Sequence, residues 1–297
     1  MPAQKINTKT RMQILKFMER PFFYACRIAY GAWAGKLRLA PVCKLSVTRT
    51  GIVCKRSAKL GRKTILANSG HLSFMDVAKE LRSAHVATEL RTAWSFTVLY
   101  RVVSLPISWA CLRAGYSPTS ISLVGLLVAL IAPFAALYLP LGWAPLAVFL
   151  SGALFQVLDC SDGTVARMSG KTSILGADLD YFFDIFQHIL LYTAIGILAD
   201  RVLGTAGLWA ALGATGASLR LMARLIREQV ATRVPQTQPG PFKISELPIA
   251  FLSGLTGLIP FGALAGQYTG YVVIALIVYS VADIVDAAMP MTKAPYR

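Results

Sequence analysis

Long apolar runs separated by short polar turns dominate the second half of the chain. No charged residue occurs between Ala114 and Leu158, and a membrane-spanning helix needs about 20 apolar residues. Two spans fit this stretch, at about 120–139 and 144–166, with Pro140 in the turn between them. Further apolar runs cover about 175–199, 206–227, 247–265 and 268–289. The pattern therefore predicts an all-α, polytopic membrane protein with six transmembrane helices.

The front of the chain has a different composition. Residues 1–114 contain 20 Lys and Arg but 4 Asp and Glu, whereas residues 115–297 contain 10 of each. We therefore expect a basic cytoplasmic and juxtamembrane segment over 1–114 and a membrane domain over 115–297. Between Glu89 and Arg113 apolar residues alternate with arginines, which is typical of a helix at a membrane surface.

Composition and motifs argue against two function classes. The mean hydropathy of +0.56 is too high for an ordinary soluble enzyme. The basic charge is not accompanied by a nucleic-acid recognition motif, so we expect membrane lipid and no nucleic acid as a partner. The five cysteines have no zinc-binding spacing.

The basic residues also predict the orientation in the membrane. Loops that stay cytoplasmic carry an excess of Lys and Arg. With six spans and a cytoplasmic N-terminus, Arg201 is the one basic residue of the 30 left outside. We therefore expect both termini and the active site to face the cytoplasm, in the cell inner membrane if the source is bacterial.

Four aspartates interrupt the apolar pattern where the second span ends and the third begins. Asp159 and Asp162 are three residues apart and Asp180 and Asp184 are four apart, so each pair shares a helix face. An ionisable group inside a membrane costs about 2.5–3.5 kcal/mol on insertion scales, so such a cluster needs a function. Oxygen ligands favour Mg²⁺ or Mn²⁺, and two such ions would balance four carboxylates.

The residues around the aspartates suit a ligand that lies against the helix. Gly163 removes a side chain and Ala166 keeps the next turn shallow. Arg167 offers a planar guanidinium to a phosphate or a base. Gly176 predicts a close approach of the third span to the second. Four other glycines predict close helix packing: Gly213, Gly216, Gly254 and Gly257.

These residues form the pattern D-x-x-D-G-x-x-A-R, eight residues, G-x-x-x-D-x-x-x-D. In this the chain resembles the CDP-alcohol phosphotransferase family, whose six-helix membrane domain would cover about residues 115–289. The resemblance implies that all four aspartates bind two metal ions and that Asp184 is also the general base. It further implies that the cytidine diphosphate moiety contacts Asp162, Gly163, Ala166, Arg167 and Ser173.

The resemblance also implies a reaction and partners. A substituted phosphate would pass from a CDP-alcohol to an acceptor hydroxyl with release of CMP, in phospholipid biosynthesis. We expect CDP-diacylglycerol as the donor and a small polar or phosphorylated alcohol as the acceptor. The alternative is transfer of a CDP-linked headgroup to a lipid alcohol. Relatives imply a homodimer.

Three arginines lie in a stripe near the end of the fourth predicted span. Arg220, Arg224 and Arg227 are spaced i, i+4 and i+7. They predict either a clamp for an acceptor phosphate or positively charged anchoring at the membrane surface. His188, one helical turn after Asp184, is either an acceptor contact or a packing residue. Asp178, Asp283 and Asp286 complete no spacing with the four aspartates, so we interpret them as interfacial or interhelical polar residues.

Two other membrane functions use acidic residues. An intramembrane prenyltransferase would need a second, separate aspartate-rich motif, and the sequence has one cluster. A cation-coupled transporter would favour broken helices in two matching halves, and the sequence shows no such symmetry. CMP release would separate the phosphotransferase from both.

Overall fold

The computed structural model describes residues 46–48, 51–53, 72–233 and 247–293. The chain divides into two compact units, Met1–Ala67 and Asn68–Arg297. Residues 72–114 thus belong to the same compact unit as the apolar helices, and the boundary at residue 114 that the charge pattern suggested stays a prediction.

In the first unit the described residues form two antiparallel strands. Strand β1 covers Ser46–Thr48 and β2 covers Gly51–Val53, with Val47 opposite Ile52. β-Branched side chains favour extended backbone. These short strands depart from the all-α prediction, whereas the described part of the second unit is helical.

The second unit begins with short helical pieces. They are α1 (Phe74–Ala78), a 3-10 helix (Lys79–Arg82), α2 (Ala84–Thr92), a π-helical stretch (Phe96–Arg101) and α3 (Val102–Ala114). Ser73 and Asp76 form a capping box at the start of α1. Gly115 adopts a left-handed conformation, with φ of 76°, and ends α3. The helix expected between Glu89 and Arg113 is thus present in several pieces.

Six longer helical segments follow. They are α4 (Pro118–Tyr138), α5 (Ala144–Ser169), α6 (Ile174–Leu203), α7 (Leu208–Arg233), α8 (Leu247–Gly254) continued by a 3-10 helix (Leu255–Leu264), and α9 (Thr269–Lys293). A short 3-10 helix, Gly266–Tyr268, precedes α9. Each predicted apolar run is therefore helical, with ends displaced by a few residues.

Four helices in the described part of the chain are long and apolar enough to cross a membrane. They cover Pro118–Tyr138, Ala144–Ser169, Leu175–Leu203 and Gly266–Met291. The other two predicted spans, α7 and the segment that begins with α8, are not among these four. The charged residues of α7 lower its mean hydropathy, and the apolar helix Ala250–Leu264 is shorter.

Helix α6 lies at the centre of the bundle. It packs against α4, α7 and α9, while α5 packs against α4, α3 and the 3-10 helix after α8. Tyr192, Ile195 and Leu198 on α6 are fully buried together with Val148 of α5 and Val273 of α9. In lipid, such contacts stabilise by close packing, because lipid tails are as apolar as the side chains themselves.

Glycines set the distance between the central helices. A methyl group on Gly213 would lie 2.5 Å from the Tyr192 carbonyl oxygen, and one on Gly216 would lie 3.3 Å from the Tyr192 ring. Methyl groups on Gly254 and Gly257 would meet Trp94 and Ser95. The close-packing role predicted for these four glycines is confirmed.

Candidate functional site

The antiparallel pair α5 and α6 brings acidic side chains from two segments together. Gly170, with φ of 66°, ends α5, and the Ser173 hydroxyl accepts a hydrogen bond from the Gly176 amide at the start of α6. The chain therefore reverses within a few residues. One carboxylate oxygen from each of three aspartates then lies within 4.8 Å of the others: Asp159, Asp162 and Asp180.

This group fits a divalent cation. Its donors are carboxylate oxygens, which Mg²⁺ and Mn²⁺ prefer. Three carboxylates this close repel each other unless a cation or protons neutralise them. Within the described residues, none of the three forms a salt bridge with a lysine or arginine, so their charge stays available for a metal ion.

A narrow cleft opens beside the three aspartates. Its other lining residues come from α4, α5 and α6: Ser122, Gly125, Phe155 and Phe183. The Ser122 hydroxyl donates to Oδ2 of Asp162 over 2.5 Å, and both residues are buried. The sequence interpretation missed Ser122. The available signal was a hydroxyl inside an apolar span, one helical turn after Pro118.

Asp184 is one turn further along α6 but has other partners. Its Oδ2 accepts from Nη2 of Arg224 over 2.5 Å, and its Oδ1 lies 3.3 Å from Nδ1 of His188. The same His188 nitrogen lies 2.7 Å from the Asp184 carbonyl oxygen. The structure thus groups three of the four predicted metal ligands and pairs the fourth with an arginine of α7.

Arg167 lies in the last turn of α5. Its Nε donates to Glu80 Oε1 over 2.8 Å, and its Nη1 lies 3.2 Å from where a Gly163 methyl group would be. Gly163 therefore leaves room for the guanidinium beside the helix backbone. Ala166 is half-buried.

The predicted role of Gly176 in helix packing is wrong. Beyond its own helix backbone and chain neighbours, a methyl group there would meet the Ser173 hydroxyl at 2.9 Å and Thr119 of α4 at 3.9 Å, with no atom of α5 within 4 Å. The tight neighbour is a local cap, because the turn before α6 places Ser173 over the first helical turn.

A second arginine, Arg101, is buried against α5 and donates a hydrogen bond to Thr164. Arg101 is 3% exposed and forms two hydrogen bonds with Glu89, of 2.6 and 2.8 Å. Burial is the largest single effect and lowers the pKa of the Arg101 guanidinium, but the hydrogen bonds with Glu89 and the electrostatic interactions with Cys160, Glu89 and Glu80 together raise the pKa above its ordinary value. Arg101 therefore stays charged next to α5.

The arginine stripe on α7 is divided between two acidic partners. Arg220 and Arg227 both pair with Asp283 of α9, and Arg227 also contacts Asp286 at 2.9 Å. The Arg220 guanidinium lies 5.0 Å from the Tyr279 ring centre. Asp283 and Asp286 are thus interhelical polar residues, as predicted, and Arg224 is left to face Asp184.

A small pocket lies between α6 and α7 beside Asp184. It is lined by Ile185, His188, Ala217, Arg220, Leu221 and Arg224. Nε2 of His188 and Nε of Arg220 are buried, and neither has a hydrogen-bond partner among the residues that the structure describes. These nitrogens and the Arg224 guanidinium could bind a polar or anionic group.

Comparison with known proteins adds an independent finding. A family model described as CDP-alcohol phosphatidyltransferase matches residues 116–282, more than half of the chain. The matched range includes the four aspartates and the arginine stripe, whereas residues 72–115 lie before it. No curated protein matches the chain.

Proposed function

The chain belongs to the CDP-alcohol phosphatidyltransferase family, and on that premise we propose a divalent-metal-dependent reaction at the aspartate cluster. A substituted phosphate passes from a CDP-alcohol to an alcohol acceptor, and CMP is released. The observation that carries this proposal is the convergence of Asp159, Asp162 and Asp180 within 4.8 Å.

The aspartates would hold Mg²⁺ or Mn²⁺, two ions in all, with Asp184 completing the set. When bound, the metal supplies positive charge that polarises the transferred phosphate and neutralises the leaving group. Ser122 fixes the orientation of Asp162 through its 2.5 Å hydrogen bond.

The cytidine diphosphate moiety would lie along the last turns of α5. Arg167 binds a phosphate oxygen through its guanidinium, and Gly163 and Ala166 leave space for the nucleotide next to the backbone. Asp162 and Ser173 complete the proposed nucleotide contacts. The Ser173 hydroxyl already caps α6, so its remaining hydrogen-bonding capacity would be used.

Asp184 would accept the proton of the acceptor hydroxyl. The acceptor oxygen then forms a bond to the β-phosphorus, the bond from that phosphorus to the bridging oxygen breaks, and CMP leaves with the electron pair. Arg224 holds the Asp184 carboxylate in place through its 2.5 Å contact. His188 supports the same side chain from one turn away.

The pocket between α6 and α7 supports a small polar or phosphorylated acceptor. Arg224 and Arg220 line this pocket and offer N–H groups to an anion. Arg227 does not line it and is paired with Asp283 and Asp286, so we assign it to helix packing. A small polar acceptor carries no lipid chain, so the donor would be CDP-diacylglycerol and the product would be a phospholipid.

We also propose that all six helical segments cross the membrane, with α7 and the segment Leu247–Leu264 as the remaining two spans. Eighteen residues of helix from Leu247 to Leu264 are just within the length that a span requires. Both termini and the aspartate cluster would then face the cytoplasm, where water-soluble CMP can leave. The expected homodimer stays a prediction.

The test is release of CMP by the purified protein. The protein in detergent is incubated with CDP-diacylglycerol and a panel of alcohols, with Mg²⁺, with Mn²⁺ and with a chelator. We expect acceptor-dependent CMP release that the chelator stops. If no CDP-alcohol releases CMP with either metal, the proposal is refuted.

One variant tests the base. We expect Asp184→Asn to reduce CMP release at least about 100-fold, as loss of a general base does, while CDP binding persists. Asp178→Asn is the matched control, because it removes a carboxylate from the same helix outside the cluster. Near-normal turnover by Asp184→Asn would contradict the assignment.

A further inference from the structure

A residue far outside the matched family region contacts the proposed nucleotide site. Glu80 lies in the 3-10 helix Lys79–Arg82, and its carboxylate accepts from Nε of Arg167 over 2.8 Å. The side chains of Glu80 and Arg167 are 18% and 32% exposed. The ion pair is therefore partly shielded from water, unlike the pair of Lys79 with Asp76, whose side chains are 74% and 43% exposed.

Two of the three guanidinium nitrogens of Arg167, Nε and Nη2, form hydrogen bonds with the protein. Nε donates to Glu80, and Nη2 donates to the Thr164 hydroxyl over 3.4 Å. Nη1 lies over Gly163, the residue that follows Asp162 in α5. One edge is thus held by the protein, and Nη1 stays available for a phosphate oxygen.

The Thr164 hydroxyl, which contacts Arg167, also contacts Arg101, the partner of Glu89. It accepts from Nη1 of Arg101 over 3.3 Å and donates to the Cys160 carbonyl over 2.9 Å. Arg101 is in turn held by Glu89. Two ion pairs, Arg101 with Glu89 and Arg167 with Glu80, therefore converge on one hydroxyl within the motif.

We propose that Glu80 is a positioning residue for the nucleotide, acting through Arg167. A long arginine side chain at a helix end loses rotamer freedom when it binds a phosphate. Because Glu80 already holds Nε of Arg167 before the nucleotide binds, less rotamer entropy is lost on binding and the affinity is higher. The segment 72–114 then belongs to the CDP site, and this inference rests on the proposed function.

The experiment measures CDP binding to the purified full-length protein with Mg²⁺, by titration calorimetry. We expect Glu80→Ala to weaken CDP binding about tenfold, within the range of coupling between contacting residues. Glu80→Gln keeps an oxygen acceptor for Arg167 and should recover most of the affinity. Asp76→Asn removes a carboxylate from the same segment and should bind CDP like the wild type.

A double-mutant cycle separates positioning from a general structural effect. Because Glu80 acts through Arg167, Glu80→Ala should cause no further loss of CDP affinity in an Arg167→Ala background. Thermal unfolding of each variant identifies any loss of folded protein. An undiminished effect in that background, or equal or tighter binding by Glu80→Ala alone, would overturn the proposal. Failure of the wild type to bind CDP would instead refute the proposed function, and the role of Glu80 with it.

Discussion

At the scale of single residues, the identity of each partner decides the chemistry. Asp159, Asp162 and Asp180 face one another without a salt bridge in the described part of the chain, so they suit a metal ion. Asp184 is paired with Arg224 and lies near His188. Similar side chains one turn apart on a helix therefore have different environments.

Ser122 allows a test of metal binding that leaves every carboxylate in place. We expect Ser122→Ala to weaken Mn²⁺ or Mg²⁺ binding about tenfold, because outer contacts that orient a ligand typically contribute 10–100-fold to metal affinity. The measurement is metal titration of the purified protein. Ser218→Ala is the control, since Ser218 is exposed and its hydroxyl bonds to the backbone of its own helix. Unchanged metal affinity in Ser122→Ala would show that Asp162 does not need this hydrogen bond.

At the scale of helices, the charged residues of α7 join it to two neighbours. Arg224 contacts α6, whereas Arg220 and Arg227 contact α9 through Asp283. Arg220 and Asp283 are buried, so loss of either leaves an unpaired charge in a region of low polarity. The stripe therefore contributes both to the candidate acceptor pocket and to helix packing.

We expect Asp283→Ala to destabilise the protein by about 3 kcal/mol, because it leaves two arginines without their shared partner. Asp286→Ala is the comparison, since Asp286 is 40% exposed and, within the described part of the chain, forms its ion pair with Arg227 alone; its effect should stay below about 1 kcal/mol. Unfolding in detergent, followed by intrinsic fluorescence, measures both. Equal stability losses would contradict the buried network as the cause.

At the scale of the whole molecule, the apolar helices and the distribution of basic residues predict an orientation in the membrane. The turn between α4 and α5 and the turn between α5 and α6 lie at opposite ends of α5. The excess of basic residues predicts that the second of these turns faces the cytoplasm. The aspartate cluster near that end would then be reached from the cytoplasm.

Cysteine labelling tests the orientation. Gly142 and Thr172 are exposed positions in the two turns, and a side chain at Gly142 would meet no atom within 4 Å. In a background without the natural cysteines, we expect a membrane-impermeant maleimide to label Gly142→Cys on intact cells. Thr172→Cys should react after the cells are permeabilised. The reverse pattern would invert the topology.

The sequence by itself determined the helical segments and the positions of the aspartates along them. Helix length in a membrane and the spacing of side chains on one helix are local properties, so they can be derived from the order of residues. The shared helix face of Asp159 and Asp162 could be predicted for the same reason, and the close packing at the four glycines could be predicted because a residue without a side chain lets helices approach. The lack of a packing role for Gly176 could not, because it depends on how the helix cap folds.

Only the tertiary structure decided which charged groups meet. Ser122 reaches Asp162 across 40 residues of chain, and Glu80 reaches Arg167 across 87. The division of the arginine stripe between Asp184 and Asp283 likewise depends on which face of α7 meets each neighbour. Such pairings arise because hydrogen bonds and ion pairs require contact in space, and helix packing, not distance along the chain, sets that contact.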